Sequence, residues 1–178
     1  MLVPLETVIE SERLRLVPTE DAYAEDILRE FTPEITTYMF PKPPDAIGEV
    51  LAFIAQSRAE MARGEALVVA VLDKLTGEFL GHGGLHHVDT DTPELGIWLK
   101  KGAHGHKYGR EAVAALTGWA QRNLAFRYLI YPVDRRNVAS RKIPEWLGGV
   151  IEAEYEQTGA GGQALSLLEY RIYPASAT

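Results

Sequence analysis

Between Ala66 and Leu99 the chain reads as three strands joined by two short turns, and this stretch limits the fold more than any other. Ala66 to Leu72 is an unbroken apolar run, which fits a strand covered on both faces. Asp73 to Gly77 is a turn, Phe79 to Val88 a second strand carrying Gly and His, Asp89 to Pro93 another turn, and Glu94 to Leu99 a third strand. Strands joined in this way form an antiparallel meander.

The flanks alternate in period. Arg13 to Val17 alternates polar with apolar, as a half-buried strand does. Thr19 is expected to cap a helix marked by Tyr23, Ile27 and Phe31, and Thr32-Pro33 starts a further short turn of helix. Pro41 to Pro44 is a loop. Ile47, Val50, Leu51, Ile54, Arg58 and Met61 predict a long amphipathic helix from Asp45 that ends at Gly64. After the meander come a helix from about Gly109 to Leu124, a strand from Arg127 to Val133, a helix from Val138 to Leu147, and strands over Val150 to Glu156 and Ala164 to Tyr173. The order β, α, α, β, β, β, α, β, α, β, β implies an α+β domain built on a single mixed sheet.

Without a repeat or linker, residues 1–178 read as one domain. The chain has no Cys, which removes thiol nucleophiles, disulfides and Cys-based zinc sites. A net charge of −7 argues against a nucleic-acid partner and suits a cationic one. No apolar stretch is long enough for a membrane span and no signal peptide is apparent, so a cytoplasmic protein is expected.

Most of the chemistry sits in Lys101 to Tyr108, where a strand ends and a helix begins. A helix N-terminus offers unpaired N–H groups and partial positive charge to a phosphate. Gly105 and Gly109 allow close backbone approach and a positive φ, while Lys107 and Arg110 add charge. Neither the Rossmann nor the P-loop glycine pattern is present, so these residues alone also fit a glycine loop without a ligand.

Glu94-Leu95-Gly96-Ile97-Trp98-Leu99, then His104 to Gly109, then Arg110-Glu111-Ala112 resembles motif A of the GNAT acetyltransferases, in the ribosomal-protein N-terminal acetyltransferase (RimJ/RimL-like) branch. Asn137 to Lys142 with Leu147-Gly148-Gly149 resembles motif B, and Ser11 to Leu16 resembles the first strand of that branch. The resemblance runs from about residue 10 to the final strand. It implies a GNAT-like fold, with a mostly antiparallel twisted sheet flanked by helices, and acetyl-CoA as cosubstrate. There are departures. Lys107 stands where the family has Gly, His104 where it has Arg or Gln, and Gly149 where it has Phe. Pro144 occupies the position at which many relatives carry a Tyr that protonates the leaving thiolate.

By that resemblance, the backbone of Ile97, Trp98 and Leu99 would hold the pantetheine arm and polarise the acetyl oxygen. His104, Gly105, His106, Lys107, Tyr108, Gly109 and Arg110 would surround the pyrophosphate, and Asn137 would bond the amide arm. Acetyl would then pass directly to a primary amine, either a small molecule or a protein N-terminus. Glu94 is the favoured general base and Glu154 the second candidate, with Ser140 the candidate to hydrogen-bond the departing sulfur. Tyr38, Phe40, His82 and His86 are candidate acceptor contacts; His82 and His86 share one face of their strand and His87 the other. Two alternatives stay open. One is a non-catalytic coenzyme-binding or interaction domain; the other is a metal enzyme using the five His residues, all between positions 82 and 106, without a recognised metal-ligand spacing. Homodimers are common in the family.

Overall fold

A computed structural model of the chain describes residues 5–176. One eight-stranded sheet forms its centre, from β1 (Ile9–Glu10), β2 (Leu14–Pro18), β3 (Ala66–Asp73), β4 (Phe79–His86), β5 (Glu94–Leu99), β6 (Leu129–Asp134), β7 (Val150–Thr158) and β8 (Ala164–Ile172). The strands lie side by side in the order β1-β2-β3-β4-β5-β6-β8-β7, and every pairing is antiparallel except β5 with β6. The helices are α1 (Ala24–Glu30), α2 (Pro33–Thr36), α3 (Ile47–Arg63), α4 (Tyr108–Asn123) and α5 (Val138–Trp146). The α+β expectation holds, and the meander pairs as anticipated.

The sheet separates two apolar layers. On one face α4 sets Val113, Leu116 and Ala120 against Val69, Val71, Leu85, Leu95 and Leu129. On the other, α1 and α3 set Ile27, Val50 and Ile54 against Ala70, Leu72 and Phe79. Both layers come from side chains alternating along strands that are covered on each side, which is why β3 is apolar throughout. Strands β3 and β4 approach closely: a Cβ on Gly84 would lie 2.5 Å from the Leu67 carbonyl oxygen, so only glycine fits.

Three details differ from expectation. The short strand β1 was not apparent in the sequence; two residues are too few for a period to show. Thr19 does not cap a helix. Its N–H bonds the Val68 carbonyl and its hydroxyl meets the buried His82 ring, and the helix starts instead through a 3₁₀ turn at Asp21–Tyr23. Helix α4 starts one residue earlier than expected, at Tyr108, and of the two glycines expected to allow positive φ only Gly105 (84°) uses it, the other such residue here being Lys107 (62°) and not Gly109.

Glu111 explains part of the sequence pattern at the chain's start. Its carboxylate accepts hydrogen bonds from the Ser11 hydroxyl at 2.7 Å and from the Arg13 N–H and Nε, both at 2.7 Å. Residues nearly a hundred positions apart are thereby tied, fixing α4 against β2 at the sheet edge.

Candidate functional site

The ladder between β5 and β6 closes at a single position, Glu94 opposite Ile130. Beyond it the strands diverge, so β5, central in the sheet, is only partly buried from Gly96 to Leu99. The Lys100 N–H bonds Leu80 on the β4 side, so strand alternation turns the N–H groups of Ile97 and Leu99 into the gap. Trp98 falls on the other parity: its ring stacks on Phe31 at 4.6 Å between centroids, on the α1–α3 side. A cleft of about 1440 Å³ runs through the divergence and opens on both faces of the sheet.

At one end of the cleft stand Gly105, Lys107, Tyr108, Gly109 and Arg110. No side chain caps the N-terminus of α4, whose cap residue Lys107 is left-handed (φ 62°, ψ 22°). That backbone shape accounts for Gly being the residue expected there, since a side chain at positive φ costs about 1 kcal/mol. Arg110 lies over the Trp146 ring at 4.4 Å, which holds its charge beside the helix N-terminus. His104 also lines the cleft, with its Nε2 2.9 Å from the Leu99 carbonyl, where it supports the exposed end of β5. His106 is exposed beside Tyr108 and is not among the residues that line the cleft.

Beside this end, α5 brings Asn137 and Ser140 to the cleft wall. Asn137 caps the helix, its Oδ1 accepting from the Ser140 N–H at 3.3 Å. The Ser140 hydroxyl lies 2.7 Å from the phenol of Tyr131, a residue of β6 that sequence reasoning missed. Burial pushes the Tyr131 phenol up to about 12, with the bond to Ser140 opposing, so the group stays protonated. Pro144 lies within α5, which nonetheless runs on to Trp146. Its carbonyl accepts the Gly149 N–H at 2.8 Å, and a Cβ on Gly149 would approach that carbonyl oxygen to 2.9 Å. That carbonyl belongs to the backbone, so the helix end leaves room only for glycine at 149 whatever residue stands at 144.

On the opposite side of the sheet the cleft is walled by Phe31, Tyr38, Phe40, Phe53, His82 and Trp98, with His86, Glu94 and Tyr155 further along. His82 and His86 share this face through their pairing with Trp98 and Glu94. His82 is buried, its ring between Phe53 and Trp98 and its Nε2 2.9 Å from the Thr19 hydroxyl. Burial, and less so His86, depresses its pKa to about 3, so it is neutral near pH 7 and a weak base. His86 is lowered too, mainly by burial. Burial raises the pKa of Glu94, Glu169 adds to the rise, and His87 opposes it. Tyr155 faces the same carboxylates: its phenol is raised by burial and then by Glu94 and Glu169.

Glu154 is not brought to the cleft. It is exposed on β7 and pairs with Arg135 at 3.0 Å, while its neighbour Tyr155 lines the site. Phe53 was missed because the buried stripe of α3 runs through Val50, Ile54, Ser57 and Met61; an aromatic residue off that stripe was the available signal. Among the described residues, no group of three or more His, Cys, Asp or Glu could hold a metal ion, and no helix is long and apolar enough to cross a membrane.

A family model described as an acetyltransferase (GNAT) domain matches residues 13–150. No curated protein sequence matches the chain. Solved structures do. RimL, a ribosomal-protein alpha-N-acetyltransferase in complex with coenzyme A, superposes with a TM-score of 0.84 at 15% identity, covering 94% of this chain and 98% of its own. An acetyltransferase from Salmonella typhimurium that modifies the N-terminal serine of a 50S ribosomal subunit protein gives 0.82 at 14% identity, over 95% of this chain and 100% of that one. A GNAT-family acetyltransferase from Bacillus anthracis gives 0.79 at 16%, over 94% and 98%. At such identities these structures establish likeness of fold.

Proposed function

This chain belongs to the GNAT acetyltransferase family, whose members use acetyl-CoA as cosubstrate, and on that premise we propose that it acetylates a primary amine by direct transfer, as a member of the RimJ/RimL-like branch. The observation that carries the reading is the divergence of β5 from β6 after Glu94, which opens unpaired backbone donors between an acidic side chain and a hydroxyl pair. The cleft fits the cosubstrate by its donor set: N–H groups at the start of α4 for the pyrophosphate, Lys107 and Arg110 for charge, and the gap in the sheet for an extended amide arm. Acetyl-CoA supplies an activated acyl group; the remaining steps belong to the residues.

Ile97 and Leu99 direct N–H groups at developing negative charge on the acyl oxygen, as in an oxyanion hole. Glu94, with its pKa raised by burial, takes a proton from the bound ammonium, directly or through water, and the neutral amine then attacks the thioester carbonyl. Ser140 gives its proton to the departing sulfur and takes one from Tyr131, in the place of the tyrosine that Pro144 excludes from α5, and the proton shed by the nitrogen as it becomes an amide returns to the phenol through solvent. Tyr38, Phe40, His82 and His86 form the acceptor wall with Phe53 and Tyr155.

Two measurements test the proposal together: calorimetric titration with acetyl-CoA, and release of free thiol in the presence of an amine panel. Binding with amine-dependent thiol release is the expected result. Binding without turnover on any amine would reduce the protein to a coenzyme-binding domain, and absence of binding would remove the reading.

A further inference from the structure

We propose that the acceptor is a monoamine with a flat aromatic body, its single ammonium directed to Glu94. This inference rests on the acetyl-transfer reading of the same cleft and adds what the acceptor must look like. Three features of the wall select it.

The first is apolar surface left open inside a concavity. Phe40, Phe53 and Tyr155 line the cleft yet remain 51%, 45% and 40% exposed. Phe53 extends an aromatic group that continues through the His82 ring (5.6 Å between centroids) to Trp98 and Phe31. Large rings facing water within a cleft gain most from an apolar ligand.

The second is charge. The carboxylates lining the cleft are Glu34, Glu49 and Glu94. Glu34 is ion-paired with Lys101 at 3.1 Å, and Glu49 accepts the Asp45 N–H at 2.6 Å. Glu94 has neither kind of partner among the described residues, and one free carboxylate matches one ammonium. Towards the outer wall, the Arg136 guanidinium over the Tyr38 ring is paired with Asp134 at 2.8 Å and Lys42 at the rim is paired with Asp45 at 3.4 Å, so no unpaired carboxylate of the cleft stands there to receive a second ammonium.

The third is the lack of main-chain partners for a peptide. Pro41, Pro43 and Pro44 have no N–H to donate. The Phe40 carbonyl already accepts the Ala160 N–H at 2.7 Å, and the Met39 carbonyl accepts Gln163 Nε2 at 2.7 Å. The β7–β8 turn thus takes up the loop carbonyls to which an extended peptide could otherwise donate.

The test compares initial rates with saturating acetyl-CoA for 2-phenylethylamine, tryptamine, n-propylamine, spermidine and a serine-starting peptide. The aromatic amines should show kcat/KM at least about tenfold above each of the others, the range of a well-packed ring. Phe53→Ala and Phe40→Ala should remove most of that preference through KM. Spermidine or the peptide reacting fastest, with acetyl-CoA bound normally, would overturn the acceptor class and leave acetyl transfer standing. No reaction with any amine and no acetyl-CoA binding would overturn both. A wild-type preference that survives in both alanine variants would show that the rings do not read the acceptor.

Discussion

His82 gives a prediction whose size follows from linkage alone. The ring is buried against Phe53 and Trp98, and burial, assisted by His86, holds its pKa at about 3 in the folded protein. In the unfolded chain it returns to about 6.5. Above that pH both states are neutral and the depression costs nothing. Below it the unfolded chain takes up a proton that the folded protein refuses, so stability falls as pH falls, by about 1.4 kcal/mol for each unit. From pH 7.5 to pH 5 the loss from this ring is about 2 kcal/mol. His82→Gln removes the titrating group and retains an amide able to reach the Thr19 hydroxyl, at a packing cost that does not vary with pH. Urea unfolding at pH 7.5, 6 and 5 should therefore show the variant less stable at pH 7.5 and the gap narrowing by about 2 kcal/mol at pH 5. His86 and the carboxylates titrate in both proteins and largely cancel in the difference. A gap that stays constant over this range would refute the reasoning, because the folded ring would then bind its proton as readily as the unfolded one.

Other perturbations address the catalytic and coenzyme ends. Glu94→Gln should slow turnover by about 10²-fold or more, with activity partly regained at high pH as free amine replaces the base. Because the folded protein holds the Glu94 proton more tightly than the unfolded chain, stability is lost as pH rises past the usual carboxylate range; the variant should melt higher near pH 7, and this gain should vanish at low pH where the wild-type carboxyl is protonated. Gly109→Val would press a side chain against Ile143 Cδ1, only 3.2 Å from where a Cβ would sit, and should abolish acetyl-CoA binding by calorimetry while keeping the circular dichroism spectrum. Lys107→Gly should stabilise the fold by about 1 kcal/mol in chemical denaturation by relieving the left-handed backbone, whereas a loss would mean that the Lys107 side chain contributes more than its strain. Tyr131→Phe and Ser140→Ala should each lower kcat by about tenfold, and the double variant should be no slower than the slower single one, since both act on one proton; additive losses would separate their roles.

Much of the fold was legible because its signals are local. The apolar run of β3, the turn at 73–77 and the left-handed Gly64 after α3 each follow from side chains a few positions apart. What escaped depends on contacts across the chain. Thr19 has the residue type of a helix cap, but it lies against β4, and the His82 ring 63 positions away takes its hydroxyl. Only the assembled sheet puts those groups together. Gly109 likewise looked like a hinge for positive φ, whereas its value lies in the narrow space beside Ile143.

The site divides along the same line. Glu94, Ser140 and the start of α4 were marked by the resemblance to family motifs, each carried on a single element, and all line one cleft. Glu154 was placed by its strand without knowledge of the strand's face; β7 is the sheet edge, so alternation sends Tyr155 into the cleft and leaves Glu154 to pair with Arg135. Tyr131 had no local signal at all. Its phenol meets Ser140 because β6 runs beneath α5, and on the proposed reading that pairing takes the place of the tyrosine whose position in α5 Pro144 occupies. Gly149 is kept small by the backbone carbonyl of residue 144 and by Ile172, a constraint of the helix end and not of the proline ring. The departures from the family pattern at 144 and 149 therefore have separate causes, and on the proposed reading the proton for the sulfur would come from the pair that β6 and α5 build together, Tyr131 and Ser140.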